Sequence, residues 1–314
     1  MQCVLCGNST FQIITNKLRF NISRKVVKCN NCSLISLEDP TMDVMDYSGS
    51  EYRTLHTFVL GKSQTAQEFF EMSLPFMQDR IQRVQTLLTS DANVLEIGSS
   101  TGHFLYSIKN KVAKTIGIEL DHNYATFSRE HCKLEVYETP LEKINFPDRY
   151  FDVIFMFQVF EHIQNPLEIL TLCKKYLKSN GTIYLEVPNV NDALLTLYEI
   201  PSFQQFYYRK PHTYYYSDET LVRMLSKAGF VGYTTQLQEY TFFNHIHWLL
   251  TGTPQSNYID ARNEPKFCCS DSKKKKYESL IKKWFKKIDN EYKELLEKFG
   301  LAENICYRGK IKSI

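Results

Sequence analysis

The spacing of apolar and polar positions changes period several times along the chain. From Gln78 it is helical, with Ile81, Val84, Leu87 and Leu88 on one face. Short apolar runs then alternate with helical stretches. Val94-Leu95-Glu96-Ile97 predicts a buried strand, ended by the turn Gly98-Ser99-Ser100-Thr101-Gly102 and followed by a helix over 103–109. A second strand over 115–120 precedes a helix over 123–131, and Leu134-Glu135-Val136-Tyr137 is a short third strand. Phe151-Asp152-Val153-Ile154-Phe155-Met156 predicts a fourth, followed by a helix over 166–177. The fifth, Gly181-Thr182-Ile183-Tyr184-Leu185-Glu186-Val187, is cut off by Pro188. Ser217 then caps a helix, with Asp218 and Glu219 in its electropositive first turn and Gly229 placed to end it. Closing strands are expected over 233–240 and 305–310, with a helical insertion over 241–300 between them. This alternation predicts an α/β, doubly wound fold whose mostly parallel sheet is covered on both faces.

The two ends of the chain follow other rules. Cys3-x2-Cys6 is separated by 22 residues from Cys29-x2-Cys32. Each pair bends a knuckle in which two thiolates converge, and Phe11-Gln12-Ile13-Ile14 and Lys25-Val26-Val27-Lys28 supply strands for a hairpin between them. Four soft ligands suit a tetrahedral Zn²⁺, and a segment of about 40 residues needs such a staple to fold. With no open coordination position, the ion is expected to be structural. A zinc-binding module over 1–40 is thus followed by a connector over 41–75, with a helix expected near 63–72. The main domain is assigned to 76–240, the helical insertion to 241–300 and a closing strand to 301–314. Within the connector, Tyr47, Tyr52 and Arg53 either reach back over the main domain or lie in a solvated linker.

Near the C-terminus, Tyr277, Leu280, Ile281, Trp284, Phe285, Ile288, Tyr292, Leu295, Leu296 and Phe299 recur near helical spacing, opposite Lys282, Lys283, Lys286, Lys287 and Lys293. Packing on the sheet domain or on a second subunit is expected of this face. A basic amphipathic helix lying on an anionic membrane is the alternative. Cys268-Cys269 has no partner spacing and is read as structural.

Composition narrows the function classes. Among 314 residues, 38 are basic and 35 acidic, a net charge of +3, with 43% hydrophobic and 23% charged residues. That is an ordinary globular composition, and its near balance of charge argues against strong sequence-independent nucleic-acid binding. The start Met1-Gln2-Cys3-Val4-Leu5-Cys6 lacks the pattern of a secretory signal. Nine cysteines is an odd count, so a disulfide framework is not expected. A cytoplasmic protein is the resulting expectation.

The chemistry concentrates around the turn at 98–102. A strand that runs into a small-residue turn and then a helix lets backbone approach a ligand at the carboxyl edge of the sheet. Glu119 follows Glu96 by 23 positions, at the end of the next strand. An acid there can accept hydrogen bonds from both hydroxyls of a ribose, so the pair points to a nucleoside-bearing ligand.

Together with Gly117-x-Glu119, Phe146-Pro147-Asp148, Glu161-His162, Val187-Pro188-Asn189 and His212…Tyr215-Tyr216-Ser217, these residues make the chain resemble a class I S-adenosylmethionine-dependent methyltransferase. The resemblance extends, through the paired cysteine knuckles, to the bacterial group carrying an N-terminal zinc-binding module, and covers roughly residues 1–235. It implies a seven-stranded Rossmann-like methyltransferase sheet, S-adenosylmethionine as cofactor, and a structural zinc on Cys3, Cys6, Cys29 and Cys32. Relatives of this kind include sugar C-methyltransferases and enzymes of surface-glycan assembly, which implies a nucleotide-linked sugar or other glycan precursor as acceptor. By the same resemblance Glu96, Gly98, Ser100 and Gly102 surround the methionine end of the cofactor, Glu119 its ribose, the backbone at Leu141 its adenine, and Gln158 faces it. Two positions depart from the pattern. Ser100 replaces the middle glycine of the turn, and Pro140 stands where an acid often meets the adenine amino group.

An acceptor hydroxyl or acidic carbon also needs a base. His162 beside Glu161 suits that role near neutral pH, and His212 is a second candidate. Around His212, Tyr207, Tyr208, Arg209, Lys210, Tyr214, Tyr215 and Tyr216 either hold a sugar nucleotide by stacking and charge or are core and surface rim. His103, His122 and His131 are read as ordinary. The leading function is therefore methyl transfer to a small polar acceptor. A zinc-ribbon RNA methyltransferase and a non-catalytic zinc-containing scaffold are the alternatives.

Overall fold

Two sheets share one core, and the polypeptide passes between them three times. The computed structural model describes residues 1–40, 46–47, 52, 62, 64–267 and 269–312. Strands β1 (Phe11–Lys17), β2 (Ser23–Cys29) and β3 (Ile35–Leu37) come first. Helices α1 (Ala66–Ser73) and α2 (Met77–Val84) lead to β4 (Asn93–Ile97), α3 (His103–Ile108), β5 (Lys114–Ile118), α4 (His122–Glu130) and β6 (Glu135–Tyr137). Next come β7 (Phe151–Phe157), α5 (Pro166–Tyr176), β8 (Leu177–Pro188), α6 (Ala193–Thr196), α7 (Pro201–Tyr207), β9 (Tyr214–Tyr215), α8 (Asp218–Lys227) and β10 (Phe230–Leu237). Helices α9 (Phe242–Thr251), α10 (Tyr258–Arg262) and α11 (Lys275–Lys298) precede the last strand, β11 (Asn304–Ile311).

The large sheet has seven strands in the order β10-β11-β8-β7-β4-β5-β6. The pairs β4/β5, β5/β6, β4/β7 and β7/β8 are parallel, and β11 runs antiparallel to both β8 and β10. This is the Rossmann-like methyltransferase arrangement of an α/β fold. Alternation along the central strands divides its core. Leu95, Ile97, Ile154 and Met156 are buried on one face, and Val94, Val153, Phe155 and Phe157 on the other. Burial on both faces is why these strands read as continuous apolar runs rather than as alternating ones.

Local rules in the sequence set the helix ends. Thr65 and Glu68 form a reciprocal capping box at α1, so the helix expected near 63–72 runs from Ala66 to Ser73; Ser63 lies outside the described residues. Ser217 and Thr220 form the box at α8. Gly229 follows with φ +90°, a conformation open to glycine. The chain re-enters the sheet at once, so β10 starts three residues before the expected strand over 233–240.

The cysteine-rich N-terminus is not closed by its own residues. β1 and β2 form the expected antiparallel hairpin and β3 adds to β2. The fourth strand, β9, comes from the far side of the main sheet, with Ile35 opposite Tyr215 and Ser36 opposite Tyr214. Lys227 Nζ donates to the carbonyls of Val4 (3.0 Å) and Leu5 (2.8 Å). Arg19 Nε donates to the Phe206 carbonyl at 2.7 Å, and its guanidinium stands 3.4 Å from that ring's centroid. Tyr207, Tyr208, Tyr214, Tyr215 and Tyr216 are all buried here. Of the two readings open for these tyrosines, core packing is the one realised, and none presents a ring for stacking on a sugar nucleotide. An alternating aromatic and basic string reads as a binding strip when its burial by a second sheet is invisible.

The insertion over 241–300 is helical through α9, α10 and α11. On α11, Leu296 is buried and Tyr292 bonds Tyr198 and His245, while Tyr277, Leu280, Ile281 and Trp284 are exposed. Phe285 packs against Phe243 and Phe267, while Leu295 and Phe299 are exposed, so the apolar face is covered only in part. Among the described residues no helix is long and apolar enough to cross a membrane. Cys268 and Arg53 lie outside the described residues.

The Tyr215 hydroxyl closes the loop before β9, accepting from the Arg209 amide at 2.9 Å and donating to the Arg209 carbonyl at 3.1 Å. Removing it takes the acceptor from the half-buried Arg209 amide, while the carbonyl keeps the His212 amide at 3.3 Å. Tyr215→Phe should lower unfolding free energy by about 1–3 kcal/mol, read as a shifted urea midpoint with an unchanged slope.

Candidate active site

The order of strands reverses between β4 and β7, since β5 and β6 are added on one side and β8 on the other. Doubly wound sheets bind ligands in the crevice outside the carboxyl ends at such a point. Every residue singled out from the main domain except His212 lies at the end of a strand of this edge or follows one in sequence.

The turn after β4 is pinned to β5. The amides of Gly98 and Ser99 both donate to the Ile118 carbonyl, at 2.8 and 2.9 Å, and the Ser100 amide donates to Glu119 Oε2 at 2.7 Å. Glu119 sits directly after β5, buried, with Oε1 accepting from the Asp121 amide at 2.8 Å. The carboxylate of Glu119 is thereby fixed. Gly102 has φ +73°, and a Cβ on it would stand 2.6 Å from Leu134 Cδ1. Ser100, at the departure from the glycine pattern, also lies in the left-handed region with φ +52°. Its side chain is small enough for the turn, but the backbone still carries the cost of that conformation.

Glu96, at the carboxyl end of β4, is buried, and its Oε2 has no hydrogen-bond partner among the described residues. Burial holds its carboxyl well above the usual range, against the pull of Arg80. A cationic ligand group beside that oxygen would offset the cost of burial. Leu141 follows β6, its side chain buried in the core, so that residue offers only its backbone to a ligand. Gln158 follows β7 with φ +56°; its amide donates to the Glu186 carbonyl (2.8 Å) and its Nε2 to Asn304 Oδ1 (3.0 Å).

Glu161 and His162 lie in one short 3₁₀ turn beyond β7, and His212 joins them from the segment before β9. His162 Nδ1 stands 2.8 Å from the Pro211 carbonyl oxygen. A carbonyl only accepts, so Nδ1 carries the proton and the neutral ring presents its lone pair at Nε2. That atom is 3.6 Å from Glu161 Oε1. The His162 and His212 rings meet edge-on at 4.8 Å between centroids. Glu161 is buried, neither of its carboxylate oxygens has a hydrogen-bond partner among the described residues, and burial lifts its carboxyl to about 8. The connector does reach back: the Tyr47 hydroxyl is 3.1 Å from His162 Nδ1, and the Tyr47 and Tyr52 rings pack edge-on against His162.

Arg80 and Arg83 carry no motif and escape a reading by motif alone; their spacing of three on a helix is the signal that was there. Arg80 bonds Glu186 Oε2 at 2.9 Å over the Phe157 ring, and Arg83 stands 3.5 Å from Glu239, which also pairs with Arg262. Arg83, Glu239 and Arg262 line a cavity of about 830 Å³ together with Glu68, Asp79 and Lys293. None of the site residues predicted from the sequence borders it.

At the other end, the four cysteine sulfurs gather. Cys3 and Cys32 are 3.4 Å apart, Cys6 and Cys29 3.5 Å, and all four lie within 4.8 Å of one another. Thiolates 2.3 Å from a common tetrahedral ion fall at such separations. Burial opposes ionisation at Cys6, but hydrogen bonds from Asn31 and at Asn8 bring its thiol down to about 6.

The turn makes opposite demands at its two left-handed residues. Gly102→Ala should cost about 1–3 kcal/mol through the backbone and the contact with Leu134, whereas Ser100→Gly should be neutral or stabilise by up to about 1 kcal/mol. Equilibrium denaturation of both variants reads the contrast.

Comparison with known proteins places this geometry. Residues 69–235, more than half of the 314-residue chain, match the model of a family described as methyltransferase domain. An uncharacterized protein of Methanocaldococcus jannaschii is 26% identical over 136 residues, 43% of this chain and 63% of its own length. A ubiquinone biosynthesis O-methyltransferase of Aliivibrio fischeri is 28% identical over 31% of this chain and 44% of its own length. A probable S-adenosylmethionine-dependent methyltransferase of Mycobacterium tuberculosis is 26% identical over 31% and 36%. The match thus spans less than two thirds of each of these relatives. Among solved structures, a SAM-dependent methyltransferase from Archaeoglobus fulgidus has 19% identity and a TM-score of 0.49, covering 78% of this chain and 97% of its own.

Proposed function

Because the chain belongs to the methyltransferase-domain family, we propose that it transfers a methyl group from S-adenosylmethionine to a small polar acceptor, a nucleotide-linked sugar or another glycan precursor. The observation that carries the cofactor assignment is the pairing of two buried carboxyls at adjacent strand ends. Glu96 Oε2 has no hydrogen-bond partner among the described residues, and Glu119 is fixed by the amides of Ser100 and Asp121. The first suits the ammonium of the methionine moiety, the second the two hydroxyls of the ribose, and the backbone at Leu141 the adenine edge. When bound, the sulfonium supplies an electrophilic methyl group. Transfer is an in-line displacement, so the protein's contribution is to orient the acceptor and exclude water. The proton of an acceptor hydroxyl is handled at Glu161 and His162, beyond β7, and at His212, which joins them from the segment before β9. The glycan assignment draws on the motif resemblance.

The cysteine cluster is assigned a structural Zn²⁺ on Cys3, Cys6, Cys29 and Cys32. The sulfur separations and the soft, four-ligand donor set support it. Its place is to hold the knuckles on which β2 and β3, and through them β9, depend.

Two measurements test these assignments. S-adenosylhomocysteine should bind in calorimetry, and Glu119→Ala should weaken it roughly a hundredfold, the loss of two charge-assisted hydrogen bonds; an unchanged affinity removes the cofactor assignment. Thiol modification with a mercurial reagent should release about one zinc per chain with loss of the N-terminal sheet's protection in hydrogen exchange.

A further inference from the structure

We infer that Glu161, His162 and His212 form a second metal centre, one that holds a divalent first-row cation through one carboxylate and two imidazoles. Three observations converge. The three side chains offer one ligand atom each, all within 4.8 Å of one another, so small side-chain rotations bring them within the about 4.4 Å that two bonds of about 2.2 Å to one ion can span. The Glu161 side chain is sealed from solvent, with both oxygens lacking a hydrogen-bond partner among the described residues, and a carboxylate in that condition is retained where a cation meets it. His162 is oriented as metal-bound imidazoles are. Its far nitrogen donates to the Pro211 carbonyl at 2.8 Å, which fixes the tautomer and directs the Nε2 lone pair to the Glu161 side, 3.6 Å from Oε1. The supporting shell continues outward: Thr213 Oγ1 donates to the His162 carbonyl at 3.2 Å, and the Tyr47 hydroxyl stands against Nδ1.

Two imidazoles and a carboxylate leave about half of an octahedral shell open. The open positions suit an acceptor that brings two adjacent oxygens, a vicinal diol such as a sugar ring carries. This deepens the proposed methyl transfer and rests on it for the role, though not for the site. Bound to the ion, the acceptor hydroxyl loses its proton to solvent at lower pH than it would free. The oxygen lone pair then forms the O–CH₃ bond while the S–CH₃ bond breaks with its electron pair left on sulfur. No oxidant or reductant enters.

The test uses the full zinc-loaded chain with Mn²⁺, since thiolates are poor ligands for that hard ion and leave it to the N/O site. Loss of the free six-line Mn²⁺ signal in electron paramagnetic resonance, without any methyl donor, should report about one site per chain of micromolar affinity. Glu161→Gln and His212→Ala should each weaken it by roughly tenfold or more, while S-adenosylhomocysteine affinity stays within about twofold in both. If the wild-type chain leaves Mn²⁺ free at tens of micromolar, or if Glu161→Gln binds it equally well, the metal centre is wrong, whatever the variants do to folding. Binding of Mn²⁺ by a chain that ignores S-adenosylhomocysteine would keep the metal centre and remove the methyl-transfer reading instead.

Discussion

The clasp between the first strand of the large sheet and the second governs everything at its carboxyl edge. Three consecutive amides, at Gly98, Ser99 and Ser100, point at acceptors on or just after β5: the Ile118 carbonyl twice and the Glu119 carboxylate once. The turn must enter the left-handed region to make these bonds, which is why Gly98, Ser100 and Gly102 all have positive φ. The same bonds freeze the side chain of Glu119, so the geometry of the crevice is set before any ligand arrives. Carboxylates held this way lose no rotamer freedom on binding, and hydrogen bonds to them gain accordingly.

Much of this was legible along the chain because it depends on short-range rules. Unbroken apolar runs such as Val153 to Phe157 identify strands buried on both faces, and caps such as Ser217 and Thr65 mark helix starts to within a residue or two. The strand–turn–helix at 94–109 and the acid at 119 fall together in space because parallel neighbours in register bring Glu96 opposite Gly117. What escaped the sequence was long-range. Nothing local says that Tyr214 and Tyr215 complete a sheet begun at residue 11, so their ring-rich stretch resembled a binding strip. The pairing of Arg80 with Glu186 spans 106 positions and leaves no trace in either element's period.

The N-terminal sheet and the large sheet are consequently one folding problem. β9 lies between α7 and α8 in the chain, so the segment that carries His212 is held on one side by β3 and on the other by the helix that packs on the main sheet. Cys3, Leu5, Cys29, Cys32 and Leu34 share a core with Leu221, Met224 and Leu225 of α8. The position of His212 opposite His162 therefore depends on the order of the cysteine knuckles, a physical route by which a structural ion far from the chemistry can govern it.

The acids of the carboxyl edge divide by how their charge is met. Glu186 faces Arg80 and Arg83, and Glu239 faces Arg83 and Arg262, so these two carboxylates are matched by the fold itself. Glu303 accepts from the amides of Glu239 and Tyr240. Glu96 and Glu161 are buried as well but carry oxygens with no hydrogen-bond partner among the described residues. Burying a carboxyl without a partner costs several kcal/mol once ionised, and burial raises both carboxyls above their usual range. Arg80 pulls on Glu96 and Arg209 on Glu161 through charge alone, whereas Glu186 and Glu239 are in direct ion pairs. The ammonium proposed at Glu96 and the metal ion proposed at Glu161 would each bring a close cationic partner to a buried acid that has its arginine only at a distance.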